Sequence, residues 1–322
     1  MFFNFLKQPR KKIPPLLRYL LFAIKNMQFK PAETQFILRE KISNNCNAFN
    51  NAAFVVVPVP YEKTTSYGKG TKHGPQAVIA ASRQLELWDE ETRTETWKKG
   101  VFTLAPVNCA LSEKKFFPAL EKIVDQLLAS TSALPFFIGG EHSITQGLLP
   151  PFQRRHKNLS ILHFDAHADL RPSYEGSEHS HACAVYPVSR DNKLVQIGIR
   201  SVGSEERRYH NSGLVQTHLM HENMNFKKLE RNILRELTDT VYLTIDVDGF
   251  DPSVMPGTGT PQPGGFGWHE AMKLFKAVCL KKKVVGVDVV EVSPIKGSPI
   301  TEFNAAKLIY RLMGYLSLSA TR

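Results

Sequence analysis

The 322-residue chain predicts an α/β fold, with helices on both faces of a mainly parallel central sheet. Two observations carry that prediction. Six short apolar runs rich in β-branched residues punctuate the chain, and segments with helical spacing lie between several of them. Strand, helix, strand alternation of this kind makes a three-layer α/β/α domain. A third observation concerns chemistry: several of the runs end directly on acidic residues or histidine.

In chain order the runs are Phe54–Val57, Leu134–Ile138, Leu159–Phe164, Leu194–Ile199, Val241–Ile245 and Val284–Val287. Each ends in Gly or a polar cluster, and continuous apolar runs suit strands buried on both faces of a parallel sheet. Between the first two, Phe117–Ala129 places Leu120, Ile123, Val124, Leu127 and Leu128 on one helical face. Phe226–Leu237 and Trp268–Leu280 behave similarly, and Thr301–Leu318 reads as a closing helix. No Pro/Gly/Ser linker divides the body and no internal repeat is visible, so residues 31–322 are expected to form one domain.

Apolar residues at 42% and charged residues at 22% describe a globular chain with ample material for a core. The net charge of +11 invites a nucleic-acid reading, but its location argues against one. Residues 1–30 carry Lys7, Arg10, Lys11, Lys12, Arg18, Lys25 and Lys30 and no acid; subtracting those seven from +11 leaves +4 for the rest. The leader's apolar stretch, Leu16 to Ile24, is interrupted by Arg18 and too short to span a bilayer. No clear small-residue cleavage site follows it, so a flexible or amphipathic extension is expected rather than a signal peptide. Cys46, Cys109, Cys183 and Cys279 form no CxxC pair, which points away from a disulfide framework or thiolate zinc site and toward a reducing cytoplasm.

In an open parallel sheet, ligands bind beyond the carboxyl ends of the strands. After Leu134–Ile138 comes Gly139-Gly140-Glu141-His142-Ser143, and after Leu159–Phe164 comes Asp165-Ala166-His167-Ala168-Asp169. After Val241–Ile245 comes Asp246-Val247-Asp248, and after Val284–Val287 come Asp288 and Glu291. Period-two spacing puts Asp165, His167 and Asp169 on one face of extended chain, and likewise Asp246 with Asp248. With His142 from a third strand, these edges can surround one point. Unaided, such a cluster of carboxylates is unfavourable, because like charges raise one another's pKa. Asp165, Asp169, Asp246 and Asp248 total −4, which two divalent cations balance, and two such ions acidify a shared water. An oxygen-dominated donor set with two imidazoles and no thiolate favours manganese. His163 or Asp288, each taken alone, reads as an ordinary structural residue or helix cap.

These residues resemble the ureohydrolase superfamily, which includes arginase, agmatinase, guanidinobutyrase and formiminoglutamase. The matching stretches are GGEHSIT (139–145), FDAHADL (164–170), TIDVDGFDPSVMPGTGTPQPGG (244–265) and VDVVEVSP (287–294), with PYEKTTSYGKGTKHGPQAV (60–78) upstream. The resemblance runs from about Phe54 to the C-terminus. It implies an arginase-like fold, with two manganese ions held by His142, Asp165, His167, Asp169, Asp246 and Asp248. It also implies that Glu291 receives the guanidinium and that His181 shuttles a proton toward the leaving amine. Ala182-Cys183 follows His181 where the family commonly has Gly-Thr or Gly-Ser, and His179 lies two residues earlier; motif register favours His181.

The loop after the DAHAD motif, Leu170 to Glu178, lacks the Ser/Thr/Asn pattern with which arginases resemble one another. Glu175 and Glu178 offer a distal ammonium two partners, or are solvated surface charges; Arg171 keeps a carboxylate-bearing substrate in view. Hydrolysis of agmatine to putrescine and urea is therefore expected first, with guanidinobutyrase, arginase or formiminoglutamase activity as alternatives. A non-catalytic family member would normally have lost a ligand, and none is missing. A two-metal phosphoesterase fits poorly, because Glu291 repels a phosphate. A homo-oligomer, trimer or hexamer, is implied by the resemblance alone, and neither nucleic acid nor stable membrane insertion is expected.

Overall fold

The computed structural model describes residues 29–37 and 48–319; Cys46 and the leader up to residue 28 lie outside them. Eight strands form one sheet: β1 (Phe54–Val59), β2 (Val101–Thr103), β3 (Leu134–Gly139), β4 (Leu159–Phe164), β5 (Lys193–Ile199), β6 (Val215–Leu219), β7 (Thr240–Asp246) and β8 (Lys283–Val290). Their order is β2-β1-β3-β8-β7-β4-β5-β6, and every pairing is parallel. The six apolar runs are six of these strands.

The helices are α1 (Gly74–Ser82), α2 (Glu113–Ser130), α3 (Thr145–Arg155), a single turn α4 (Tyr186–Ser189), α5 (Phe226–Glu236), α6 (Trp268–Lys281) and α7 (Ile300–Ser319). They divide between the faces of the sheet. Val78 and Ile79 of α1, Leu229 and Ile233 of α5, and the apolar stripes of α6 and α7 join one core with Val56, Leu162, Val195, Leu243 and Val287. Phe116, Leu120 and Val124 of α2 and Leu148 and Phe152 of α3 join the other, with Val55, Phe137, Ile161, Leu194 and Tyr242. Alternate residues of each strand thus feed opposite cores, as the pleat requires. The strands are buried on both faces, which accounts for their continuous apolar composition.

Two strands and two helices have weaker sequence signals. The edge strands β2 and β6 pair on one side only; β2 is three residues long, and β6 (VQTHL) mixes polar with apolar residues. Helix α3 contains Pro150 and Pro151, residues that ordinarily end a helix. Helix α1 opens with Gly74-Pro75, the proline sitting in its first turn, where its missing N–H costs nothing. Among the described residues, no helix is long and apolar enough to cross a membrane.

Candidate metal centre

The four strands whose ends carry the chemistry, β3, β8, β7 and β4, are immediate neighbours at the middle of the sheet. Their carboxyl ends and adjoining loops line a cavity of about 170 Å3 that contains His142, His167, Asp169, His181, Asp246, Asp248 and Glu291. Backbone bonds bring the loops together: Gly140 N donates to Val59 O, Glu141 N to Tyr61 O, and Glu291 N to Gly140 O, each at 2.9 Å. A Cβ at Gly140 would lie 1.9 Å from the Tyr61 carbonyl oxygen, so only glycine permits this approach. The next residue, Glu141, is buried, and its carboxylate accepts from Lys63 N, Thr64 N, Thr64 Oγ1 and Ser143 Oγ at 2.6–2.7 Å. It thereby ties the 60–66 segment, which contributes Ser66 to the cavity wall, to the loop after β3.

His142 Nδ1 is buried without a hydrogen-bond partner. Three carboxylate oxygens surround it, Asp165 Oδ2 at 3.0 Å, Asp169 Oδ2 at 3.3 Å and Asp246 Oδ2 at 3.4 Å. Beside this group, His167 Nδ1 lies 2.9 Å from Asp248 Oδ2 and 3.6 Å from Asp165 Oδ1. Two clusters with metal-ligand spacing therefore share Asp165. His163 also stands within reach of the first cluster. Both of its ring nitrogens are engaged, however, Nε2 with Asp165 Oδ2 at 2.8 Å and Nδ1 with Gln196 at 2.9 Å. Asp246 is the better member of the set, because its Oδ2 faces the orphaned nitrogen.

The electrostatics call for positive charge at this spot. Burial, followed by the charges of Asp248 and Asp165, pushes the Asp246 carboxyl well above the usual range. Burial and then Glu141 do the same to Glu291. Burial alone would depress the two imidazoles, yet their carboxylate neighbours raise both, His167 to about 12. A buried imidazole nitrogen with no partner, ringed by carboxylates that repel one another, is the donor set of a divalent cation. The residues present fit two such ions, in two candidate His/Asp sites.

Glu291 is buried at the cavity wall, and its Oε1 accepts from His142 N at 2.7 Å. Its φ of 65° and the 50° of Asp169 put two non-glycine cavity residues in the left-handed region. Such conformations cost of order 1–3 kcal/mol and persist where the surroundings impose them. His181 lines the cavity, with Thr64 Oγ1 3.5 Å from Nδ1, Ser66 Oγ 3.4 Å from Nε2, and the Tyr174 ring packed edge-on at 6.1 Å. His179 instead stacks on Phe117 at 4.1 Å and meets Gln146 Oε1 at 2.8 Å, outside the cavity lining.

Glu175 and Glu178 are exposed, and neither lines the cavity. The acid that does, besides Glu291 and the aspartates of the centre, is Glu206, from the segment after β5. It is buried and accepts from Leu170 N at 2.8 Å and Gly203 N at 2.6 Å. Burial, then the charge of Asp169, raises its carboxyl. Glu206 lies seven residues beyond the apolar run Leu194–Ile199, directly after a second acid, Glu205. Arg171 also lines the cavity, but its Nε donates to Glu205 at 2.6 Å, its guanidinium lies 3.8 Å from Glu206, and it stacks over Tyr174.

Residues 52–314 match the family model described as Arginase family. The chain is 40% identical over 302 residues to the N(1)-aminopropylagmatine ureohydrolase of Synechocystis sp., covering 89% of this chain and 95% of that one. It is 34% identical over 267 residues to the agmatinase of Pyrococcus horikoshii, covering 82% and 92%. The crystal structure of the agmatine ureohydrolase of Thermoplasma volcanium superposes with a TM-score of 0.79 at 27% identity, covering 88% and 96%.

Proposed function

The chain belongs to the arginase family as a ureohydrolase acting on a guanidino compound, and on that premise we propose that its substrate is a linear guanidino amine, N1-aminopropylagmatine or agmatine. The reaction is hydrolysis of one guanidine C–N bond: water adds across it, urea leaves, and the chain nitrogen departs as the protonated amine, putrescine in the case of agmatine. The observation that carries this reading is the placement of Glu291, a buried carboxylate on the wall of the cavity that holds both His/Asp clusters. Arg171 is the one Arg or Lys among the described lining residues, and its charge is already answered by Glu205 and Glu206. A cationic substrate is welcome in such a cavity and an anionic one is not. The names of the two curated relatives support the polyamine-type chain over an amino acid.

We assign His142, Asp165, Asp169 and Asp246 to one ion and Asp165, His167 and Asp248 to the other, with manganese as the ion that an oxygen-rich, thiolate-free donor set favours. When bound, the pair supplies a nucleophile at neutral pH by acidifying water. Around it, Glu291 pairs with the planar guanidinium; the His142 amide holds Oε1 and leaves Oε2 free for the substrate. His181 carries a proton to the departing nitrogen, a task imidazole side chains commonly perform. Glu175 and Glu178 stand outside the cavity, and Glu206 on its wall is already engaged by Leu170 N, Gly203 N and Arg171, so the preference for a cationic substrate rests on Glu291.

A urea-release assay of the manganese-loaded protein against N1-aminopropylagmatine, agmatine, arginine and guanidinobutyrate, with formamide release read for formiminoglutamate, tests the proposal. Turnover of one or both amines ahead of the three carboxylates is expected. Turnover of arginine or guanidinobutyrate with none of either amine overturns the assignment.

A further inference from the structure

Beneath the metal centre a row of buried polar side chains crosses the sheet, one per strand over five adjacent strands. Register aligns Thr217 of β6 with Gln196 of β5, Gln196 with His163 of β4, His163 with Thr244 of β7, and Thr244 with Asp288 of β8. All five are buried. Paired residues of a parallel sheet point to the same face, and this face otherwise carries Phe137, Ile161, Leu194 and Tyr242. Polar groups in such a layer are unfavourable unless every hydrogen bond is made. Here the bonds are made, and their direction is fixed.

An amide oxygen only accepts, so Thr217 Oγ1 donates to Gln196 Oε1 at 2.8 Å. A backbone carbonyl also only accepts, so the Gln196 amide nitrogen donates to Ala168 O at 2.7 Å, which settles which way the amide faces. The other Nε2 hydrogen then goes to His163 Nδ1 at 2.9 Å. With Nδ1 accepting, the proton of His163 sits on Nε2, which donates to Asp165 Oδ2 at 2.8 Å. On the other arm, Thr244 Oγ1 donates to Asp288 Oδ1 at 2.8 Å. Its hydroxyl proton being spent, its oxygen accepts from His142 Nε2 at 2.8 Å, and the lone pair of His142 is left on Nδ1, the orphaned atom among the carboxylates.

The geometry points to this row as a device that sets the metal centre's donor atoms: His163, Gln196 and Thr217 fix Asp165, and Thr244 and Asp288 fix which nitrogen of His142 is bare. These five are positioning residues, acting through Asp165 and His142 rather than touching substrate. The inference rests on the metal-centre reading above. Outer partners of this kind typically change metal affinity about 10–100-fold.

The test is calorimetric manganese titration of chelator-stripped protein, with circular dichroism of the metal-free state confirming the fold. Gln196→Glu removes the donor for Ala168 O and His163 Nδ1, and Thr244→Val removes the acceptor for His142 while keeping shape. Each is expected to weaken manganese binding about 10–100-fold, whereas Thr244→Ser restores it. Thr217→Val, at the far end, is expected to weaken it about threefold. If Gln196→Glu does not fold, the two valine variants decide. Manganese affinity within about twofold of wild type in Thr244→Val and in the folded variants of the other arm overturns the row's role and leaves the metal centre standing. A wild-type chain that binds no manganese overturns the centre and the row together.

Discussion

Asp165 is the residue on which the candidate centre turns, because its two oxygens face different histidines, Oδ2 toward His142 and Oδ1 toward His167. Asparagine keeps its shape but removes the charge that balances two cations. Asp165→Asn and Asp246→Asn are therefore expected to lose both bound manganese and urea release, read by metal analysis of the purified protein and by assay. Normal metal content and turnover in both variants would falsify the ligand assignment. Glu291→Gln separates substrate from metal. Its carboxylate is proposed to pair with the guanidinium and stands outside the proposed ligand set, so manganese should stay while the ion pair is lost, raising KM by about 10–100-fold, the worth of a hydrogen bond to a charged group. Full retention of KM would remove Glu291 from the substrate site. Much of this was legible in the sequence, because the acids and histidines follow directly on neighbouring strands: Asp165, His167 and Asp169, and Asp246 with Asp248, do converge. The chain there is not extended, since Asp248 lies in the tight turn Val247–Gly249 and Asp169 is left-handed. Glu206 was not, since a pair of acids six and seven residues beyond a strand looks like any solvated loop. Motif register favours His181 over His179, and Phe117 and Gln146 hold the latter outside the cavity.

Elements were legible in proportion to how much of them is buried. The six central strands declare themselves by continuous apolar runs, while β2 and β6, paired on one side, carry no such run. Helix α3 hides behind Pro150-Pro151 although Leu148, Leu149 and Phe152 seat it against the sheet. One tie between elements left no sequence signal at all. Arg311 of α7 is almost fully buried, donating from Nε to Asp89 Oδ2 at 2.6 Å and from its terminal nitrogens to Glu91 and Glu90. Burial would raise the Asp89 carboxyl, but bonds from Thr92 and Arg311 and the guanidinium charge outweigh it and hold the pKa below its ordinary value. A group depressed in the folded state stabilises above its unfolded pKa and loses that stabilisation as pH falls through the folded one. Arg311→Met leaves Asp89 buried with only Lys307, 3.5 Å away, for charge compensation. The expected cost is about 3 kcal/mol in denaturant unfolding at pH 7, at the low end for a broken buried pair. The deficit should shrink below about pH 4, where the carboxylate no longer needs its partner. A deficit that is constant down to pH 3 would show that Arg311 acts by packing alone.

At the scale of the whole molecule, a net charge of +11 coexists with a site built from acids, because the positive charge is concentrated in residues 1–30 and the acids of the centre come from the middle of the sheet. The proposed ions bridge segments far apart in sequence: His142 follows β3, Asp165 and His167 follow β4, and Asp246 closes β7 with Asp248 in the turn after it. An unfolded chain holds none of these together, so binding free energy is folding free energy. At free manganese 100 times the dissociation constant, one ion adds about 2.7 kcal/mol. Two ions add roughly twice that, and in a domain of this size each kcal/mol moves the midpoint by about 2 °C, so chelation should lower Tm by about 10 °C. Metal removal also exposes the repulsion that already lifts Asp246 and Glu291, and the loss should therefore deepen as pH rises and those carboxyls ionise without their cations. Differential scanning calorimetry with EDTA, and again after manganese is restored, measures both effects. The Asp246→Asn variant supplies the internal control: lacking a ligand, it should melt at one temperature with or without chelator. If the wild-type chain also melts at one temperature under both conditions, the carboxylates are held together by the fold alone and no ions link these strands.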